Sequence, residues 1–215
     1  AILKDRCWSE YLEGLQGTGI PALETVLELG IDPSELMDTY WNITLFPEVE
    51  VVRKKLDLPD FGKEKRLLRK YLNDAAAGLP GTVPEKGWDD LQDILRQALR
   101  QIKHLDLNRD QNFIKVITGL NKSAKVTQNR WPDKEVAKEE QARFDGFREE
   151  VITPSLKRWQ EYCHYFIMEL IIPVVDYFRR FREKNSLMNF HDLLFEAALL
   201  LRGNPEVRRY FQERF

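Results

Sequence analysis

Trp88-Asp89-Asp90-Leu91-Gln92-Asp93-Ile94-Leu95-Arg96-Gln97-Ala98-Leu99-Arg100-Gln101-Ile102-Lys103 is the stretch that decides the fold class. Trp88, Leu91, Ile94, Leu95, Ala98, Leu99 and Ile102 recur at helical spacing, so they share one face of an α-helix. Asp89, Asp90 and Asp93 open that helix, and Arg100 and Lys103 stand near its end. This order suits the helix macrodipole.

The same periodicity returns on both sides. Upstream, the Gly/Pro-rich run 78–87 is the clearest loop in the chain. Before it, Leu67, Leu68, Tyr71, Leu72 and Ala75 mark a helix from about Lys63. Nearer the start, Leu3, Cys7, Trp8, Tyr11, Leu12 and Leu15 mark another, which Gly17 and Gly19 should end. Pro21 opens a short helix closing at Gly30. Asp32 before Pro33 reads as an N-cap with Pro at the first helical position, leading a helix to about Trp41. Residues 42–60 alternate only in part and carry Pro47 and Pro59, so a short strand or an extended connection is expected. Downstream, Phe113, Ile114 and Ile117 lie on a helix over about Asp110–Leu120. Residues 121–134 are a polar, basic loop. Helix then resumes to about Lys184, with a kink or break expected at Pro154 and at Pro173. After a connector at 186–189 come two last helices. The reading is all-α, a multi-helix subdomain of about nine to eleven helices.

Composition narrows the classes. Hydrophobic residues make up 43% and charged residues 32%, with a formal net charge of −2. That is enough apolar material for a core, and no global charge points to a polyanion. The most apolar run, Tyr162–Val175, holds His164, Glu169 and Pro173; it is too short and polar to span a bilayer and reads as a core helix. Cys7 and Cys163 read as buried thiols of a cytoplasmic protein. No Gly-rich loop of the Walker type is present. No His/Cys set has metal-ligand spacing, and Cys163 and His164 are adjacent and point apart. His104 reads as a helix-end residue, His164 as a core or boundary residue and His191 as exposed. Acid pairs such as Asp89-Asp90 and Glu149-Glu150 read as solvated helix faces or caps. No catalytic residue and no metal site is assigned.

The tail carries a recognisable pattern. Leu187-Met188-Asn189-Phe190-His191-Asp192-Leu193-Leu194 is followed by Asn204-Pro205-Glu206-Val207-Arg208-Arg209-Tyr210-Phe211-Gln212-Glu213-Arg214-Phe215. It resembles the segment of superfamily 1 DNA helicases related to UvrD, Rep and PcrA that reads hydrophobic-Asp-Phe-x-Asp-Leu-Leu, then Asn-Pro-x-Val, shortly before the Walker B strand. Asn189 departs from the family's Asp, keeping the capping ability but not the charge. Residues 177–185 resemble the preceding helix, and a looser likeness begins near residue 120. The length of the helical part is more like the RecB and AddA branch. The resemblance implies an ATP-dependent 3′→5′ helicase parent, an ATP hydrolase of DNA repair or recombination. This chain would be its inserted 1B subdomain, residues 1–186, with residues 187–215 returning toward the first RecA-like domain. It implies ATP and magnesium for the parent and no cofactor within this chain. Because the helix at Pro205 reaches Phe215 without a stop signal, a piece of a longer protein is expected.

The resemblance also implies DNA as partner, which directs attention to basic patches. Lys122, Lys125, Arg130, Trp131 and Lys134 form the first: the cations suit phosphates. Trp131 either stacks on a base when exposed or packs into the core. Arg53, Lys54, Lys55, Lys63, Lys65, Arg66, Arg69 and Lys70 form a second, in which Lys63, Arg66 and Lys70 share a helix face. Arg179, Arg180 and Arg182 form a third, read as the outer face of a packed helix. Phe190, Asp192, Leu193, Leu194, Pro205, Val207 and Phe215 are structural. Their apolar members should pack on the remaining helicase domains, and Asp192 should hold the start of its helix. With that partner absent, dimerisation is expected. The rival reading is a stand-alone helical protein-interaction module without enzymatic activity.

Overall fold

The structure, a computed structural model, describes residues 2–16, 21–46, 49–187 and 190–214. The expected roles of Gly17, Gly19, Pro47, Asn189 and Phe215, and of the His191 side chain, lie outside the described residues. Helix is the only regular structure among the described residues, so the chain is all-α. The α-helices are α1 (Ile2–Gln16), α2 (Pro21–Glu28), α3 (Met37–Leu45), α4 (Gly62–Gly78), α5 (Asp90–His104), α6 (Asp110–Leu120), α7 (Lys134–Phe147), α8 (Thr153–Lys184), α9 (Phe190–Gly203) and α10 (Pro205–Arg214). A π turn, Arg148–Ile152, joins α7 to α8 without a break, so nine helical runs result among the described residues.

Two compact units are formed, residues 55–165 and residues 1–54 with 166–215. The division expected at 186/187 falls within the second of these. In that unit the apolar stripe of the second half of α8 packs with the first three helices.

In the unit 55–165, Leu68 and Leu72 of α4, Leu91 and Leu95 of α5, Phe113 and Ile117 of α6 and Phe144 of α7 are fully buried. Phe61, just before α4, faces Phe113 at 5.3 Å between ring centroids. Each such side chain contributes roughly 1.5–3 kcal/mol by leaving water. In the other unit, Trp8 stacks on Tyr40 at 5.1 Å, and Tyr40 meets the edge of Phe178 at 6.3 Å. Cys7 and Cys163 are both buried free thiols.

Of the two alternatives for residues 42–60, the connection is the one observed: between α3 and α4 the described residues form no strand. Pro154 does not break the helix: the π turn precedes it, with the Thr153 N–H donating to the Arg148 carbonyl, and the wider turn accommodates the ring. The break expected at Pro173 does not occur, since the residue sits inside α8. Its missing hydrogen bond is outweighed by the burial of Leu170, Ile171, Val174 and Phe178 around it.

Candidate nucleic-acid interface

The basic loop 121–134 is fastened to the start of α5. Asp89 caps that helix: its side chain accepts from the Gln92 N–H at 2.9 Å, and Gln92 Oε1 accepts from the Asp89 N–H at 3.1 Å. This reciprocal capping box satisfies donors the first turn would otherwise leave unpaired. The pair then reaches across to the loop. Asp89 Oδ2 accepts from the Thr127 N–H at 2.8 Å and from Trp131 Nε1–H at 2.6 Å. Gln92 Nε2 donates to the Arg130 carbonyl at 2.9 Å. Arg130 Nη1 donates to the Trp88 carbonyl at 2.7 Å. Asp89 is 3% exposed and Gln92 0%, so their mutual cap and the bond to Trp131 form out of water, while the bonds to Thr127 and of Arg130 are partly buried. Upstream, Arg148 Nη1 donates to the Lys122 carbonyl at 3.1 Å, and Ala124 is buried.

Of the five residues proposed from sequence, three lysines remain available to a partner. Lys122, Lys125 and Lys134 are exposed. Trp131 is 6% exposed, and its indole N–H is bonded to Asp89, so the base-stacking role is corrected: the ring is a core residue. Arg130 is half-buried, with its guanidinium committed to the Trp88 carbonyl. Asp89 and Gln92 were missed as loop anchors. An Asp-x-x-Gln before an apolar run signals the capping box, but nothing local signals that the same carboxylate receives a tryptophan 42 residues on.

The second basic patch divides in the same way. Lys65 Nζ lies 2.6 Å from Asp110 Oδ1, and Arg69 Nη2 lies 3.0 Å from Asn108 Oδ1, so both tie α4 to the turn before α6. Lys63, Arg66 and Lys70 stay exposed. The third patch is corrected at Arg182. It stands four positions after Phe178, which places both on one helix face. Its guanidinium lies 4.6 Å from the Phe178 ring centroid and pairs with Asp192 at 2.5 Å, both side chains nearly buried. Asp192 therefore holds α9 through an ion pair with α8. In the tail, Phe190 is 74% exposed, Leu193 55% and Leu194 53%. Pro205 is exposed and Val207 half-buried.

Other titratable groups lie elsewhere. Glu140 is nearly buried and bonded to Arg143 Nη2 at 2.6 and 2.7 Å; burial pushes its carboxyl above the usual range. Burial pushes the Cys163 thiol up to about 12, so it is a poor nucleophile. His104 and His164 are exposed. Among the described residues, no group of His, Cys, Asp and Glu is placed to hold a metal, and no helix is long and apolar enough to cross a membrane. Comparison of the chain with family models, with curated proteins and with solved structures returns no match.

Proposed function

We propose that this chain is the DNA-contacting 1B-like helical subdomain of a UvrD/Rep or RecB/AddA type helicase. In this reading it contributes binding and geometry while ATP hydrolysis takes place in the parent's motor domains. ATP and magnesium belong to those domains; the residues here do not fit them, since the sequence has no phosphate-cradling loop. The helicase part of the reading rests on the tail pattern. The exposed apolar side chains of α9 and α10 support it, as that face would be covered by the motor core.

The observation that carries the DNA-contact part is a segregation of charge. Residues 55–165 hold 21 Lys/Arg against 18 Asp/Glu, a net +3, and the remainder holds 12 against 17, a net −5. A chain of net charge −2 thus presents one basic unit. On that unit Lys122, Lys125 and Lys134 are exposed, and the phosphate backbone is their natural ligand.

The test is fluorescence anisotropy of a labelled forked DNA titrated with the chain across salt concentrations. Three phosphate contacts predict a log–log salt slope of about −2 to −3. Absence of binding at low salt, or an affinity that does not respond to salt, would overturn the proposal. The exposed α9 and α10 side chains also favour a second reading, a helical docking module for a protein partner. That module binds no DNA, so the same titration separates the two.

A further inference from the structure

We infer that Asp89 is a positioning residue for the DNA contact: by holding the loop 121–131, it presents Lys122, Lys125 and Lys134 as one pre-ordered edge for a phosphodiester backbone. The inference rests on the proposed DNA-binding reading and adds to it the device that makes the edge.

Apart from one turn at Gln128–Arg130, the loop has no regular structure, and most of its side chains are exposed. Such a segment, if unanchored, would lose conformational freedom on binding. Here a single buried carboxylate receives the Thr127 N–H, the Trp131 indole N–H and the Gln92 N–H at 2.6–2.9 Å. Those bonds hold the middle and far end of the loop before any ligand arrives. The negative charge needed for this is enclosed at the N-terminus of α5, where the helix dipole offsets it. Of the exposed acids bordering the edge, Glu135 pairs with Lys138 at 3.0 Å, and Asp90 and Asp133 accept from backbone donors. Asp90 Oδ2 accepts from the Lys125 N–H at 3.4 Å, and Asp133 Oδ1 from the Glu135 N–H at 2.8 Å.

Positioning and charge leave different marks on the same titration. Removing lysines removes counterion release, so the salt slope falls. Loosening the loop leaves the lysines in place, so the slope holds and the affinity falls at every salt concentration. The experiment compares the wild-type chain with Asp89→Asn and with Lys122→Gln/Lys125→Gln/Lys134→Gln by anisotropy on forked DNA. Each variant is first checked for helical content by circular dichroism. The expected result is an affinity roughly tenfold lower for Asp89→Asn with an unchanged slope, and a slope shallower by about 2–3 for the triple variant. A folded Asp89→Asn with wild-type affinity overturns the inference and leaves the DNA-binding proposal standing. A triple variant with unchanged affinity and slope overturns the use of this edge, and the inference with it. If Asp89→Asn does not fold, Trp131→Phe takes its place. It removes one donor and keeps a ring, and it should lower affinity several-fold at constant slope; wild-type affinity would again overturn the inference.

Discussion

Replacing Asp89 by Ala should be among the most damaging single changes in residues 55–165. The side chain is 3% exposed and accepts from the Gln92 N–H, the Thr127 N–H and Trp131 Nε1–H. Alanine leaves three donors unmade, two of them in a region closed to water. Each buried donor costs about 1–3 kcal/mol, so even at the low end the loss is about 2 kcal/mol. That is a large share of the ~5–15 kcal/mol that holds an ordinary domain. Because the chain forms two units, native-state hydrogen exchange is the suitable assay, with the Leu95 and Ile117 amides reporting on the unit that contains Asp89. Trp131→Phe alone should cost about 1 kcal/mol through its lost N–H. In the Asp89→Ala background it should cost measurably less, a coupling of about 1 kcal/mol. A loss under about 1 kcal/mol for Asp89→Ala, or additive effects of the two changes, would refute the claim that this carboxylate holds the loop.

Three further outcomes are expected. Glu140 has a folded pKa raised by burial, so the folded state takes up its proton more readily than the unfolded chain does, and the wild type gains stability relative to Glu140→Gln as pH falls from neutral into the range just above 4.5; chemical denaturation of both proteins across that range should show the wild type rising relative to the variant, and a constant difference contradicts it. Arg182→Ala removes the 2.5 Å ion pair with Asp192, at a cost below the ~3–5 kcal/mol of a fully buried pair, and exchange protection should be lost in α9 while α5 and α6 keep theirs. The exposed Phe190, Leu193, Leu194, Leu200 and Phe211 should drive concentration-dependent self-association in light scattering, which Leu193→Lys/Leu200→Lys should weaken; a monomer at every concentration counts against it.

Much of the helical order was legible because it is local. Leu91, Ile94, Leu95 and Ala98 repeat at the helical period, and α5 runs where that repeat and its acidic start place it. At Pro154 and Pro173 the helix is not broken, the more drastic of the two outcomes expected there. The local cost of proline is real, but a π turn at one site and four buried neighbours at the other decide the outcome. The pairing of Arg182 with Phe178 was present in the spacing and needed only the four-residue rule.

The candidate site was legible as charge but not as geometry. Lys122, Lys125 and Lys134 stand out in any reading of residues 121–134, since a run of cations in a polar segment is visible without coordinates. The opposite fates of Trp131 and Lys134, three residues apart, depend on which group lies across from them. Periodicity reports which face of a helix is apolar, because that depends on neighbours in sequence. It says nothing of a loop, whose side chains turn in or out according to partners far along the chain. By itself the sequence determined the helices, their caps and the cations. Tertiary structure alone decided that Asp89 would draw Trp131 inward and leave the lysines at the surface, because a buried carboxylate must be met by donors wherever the fold supplies them.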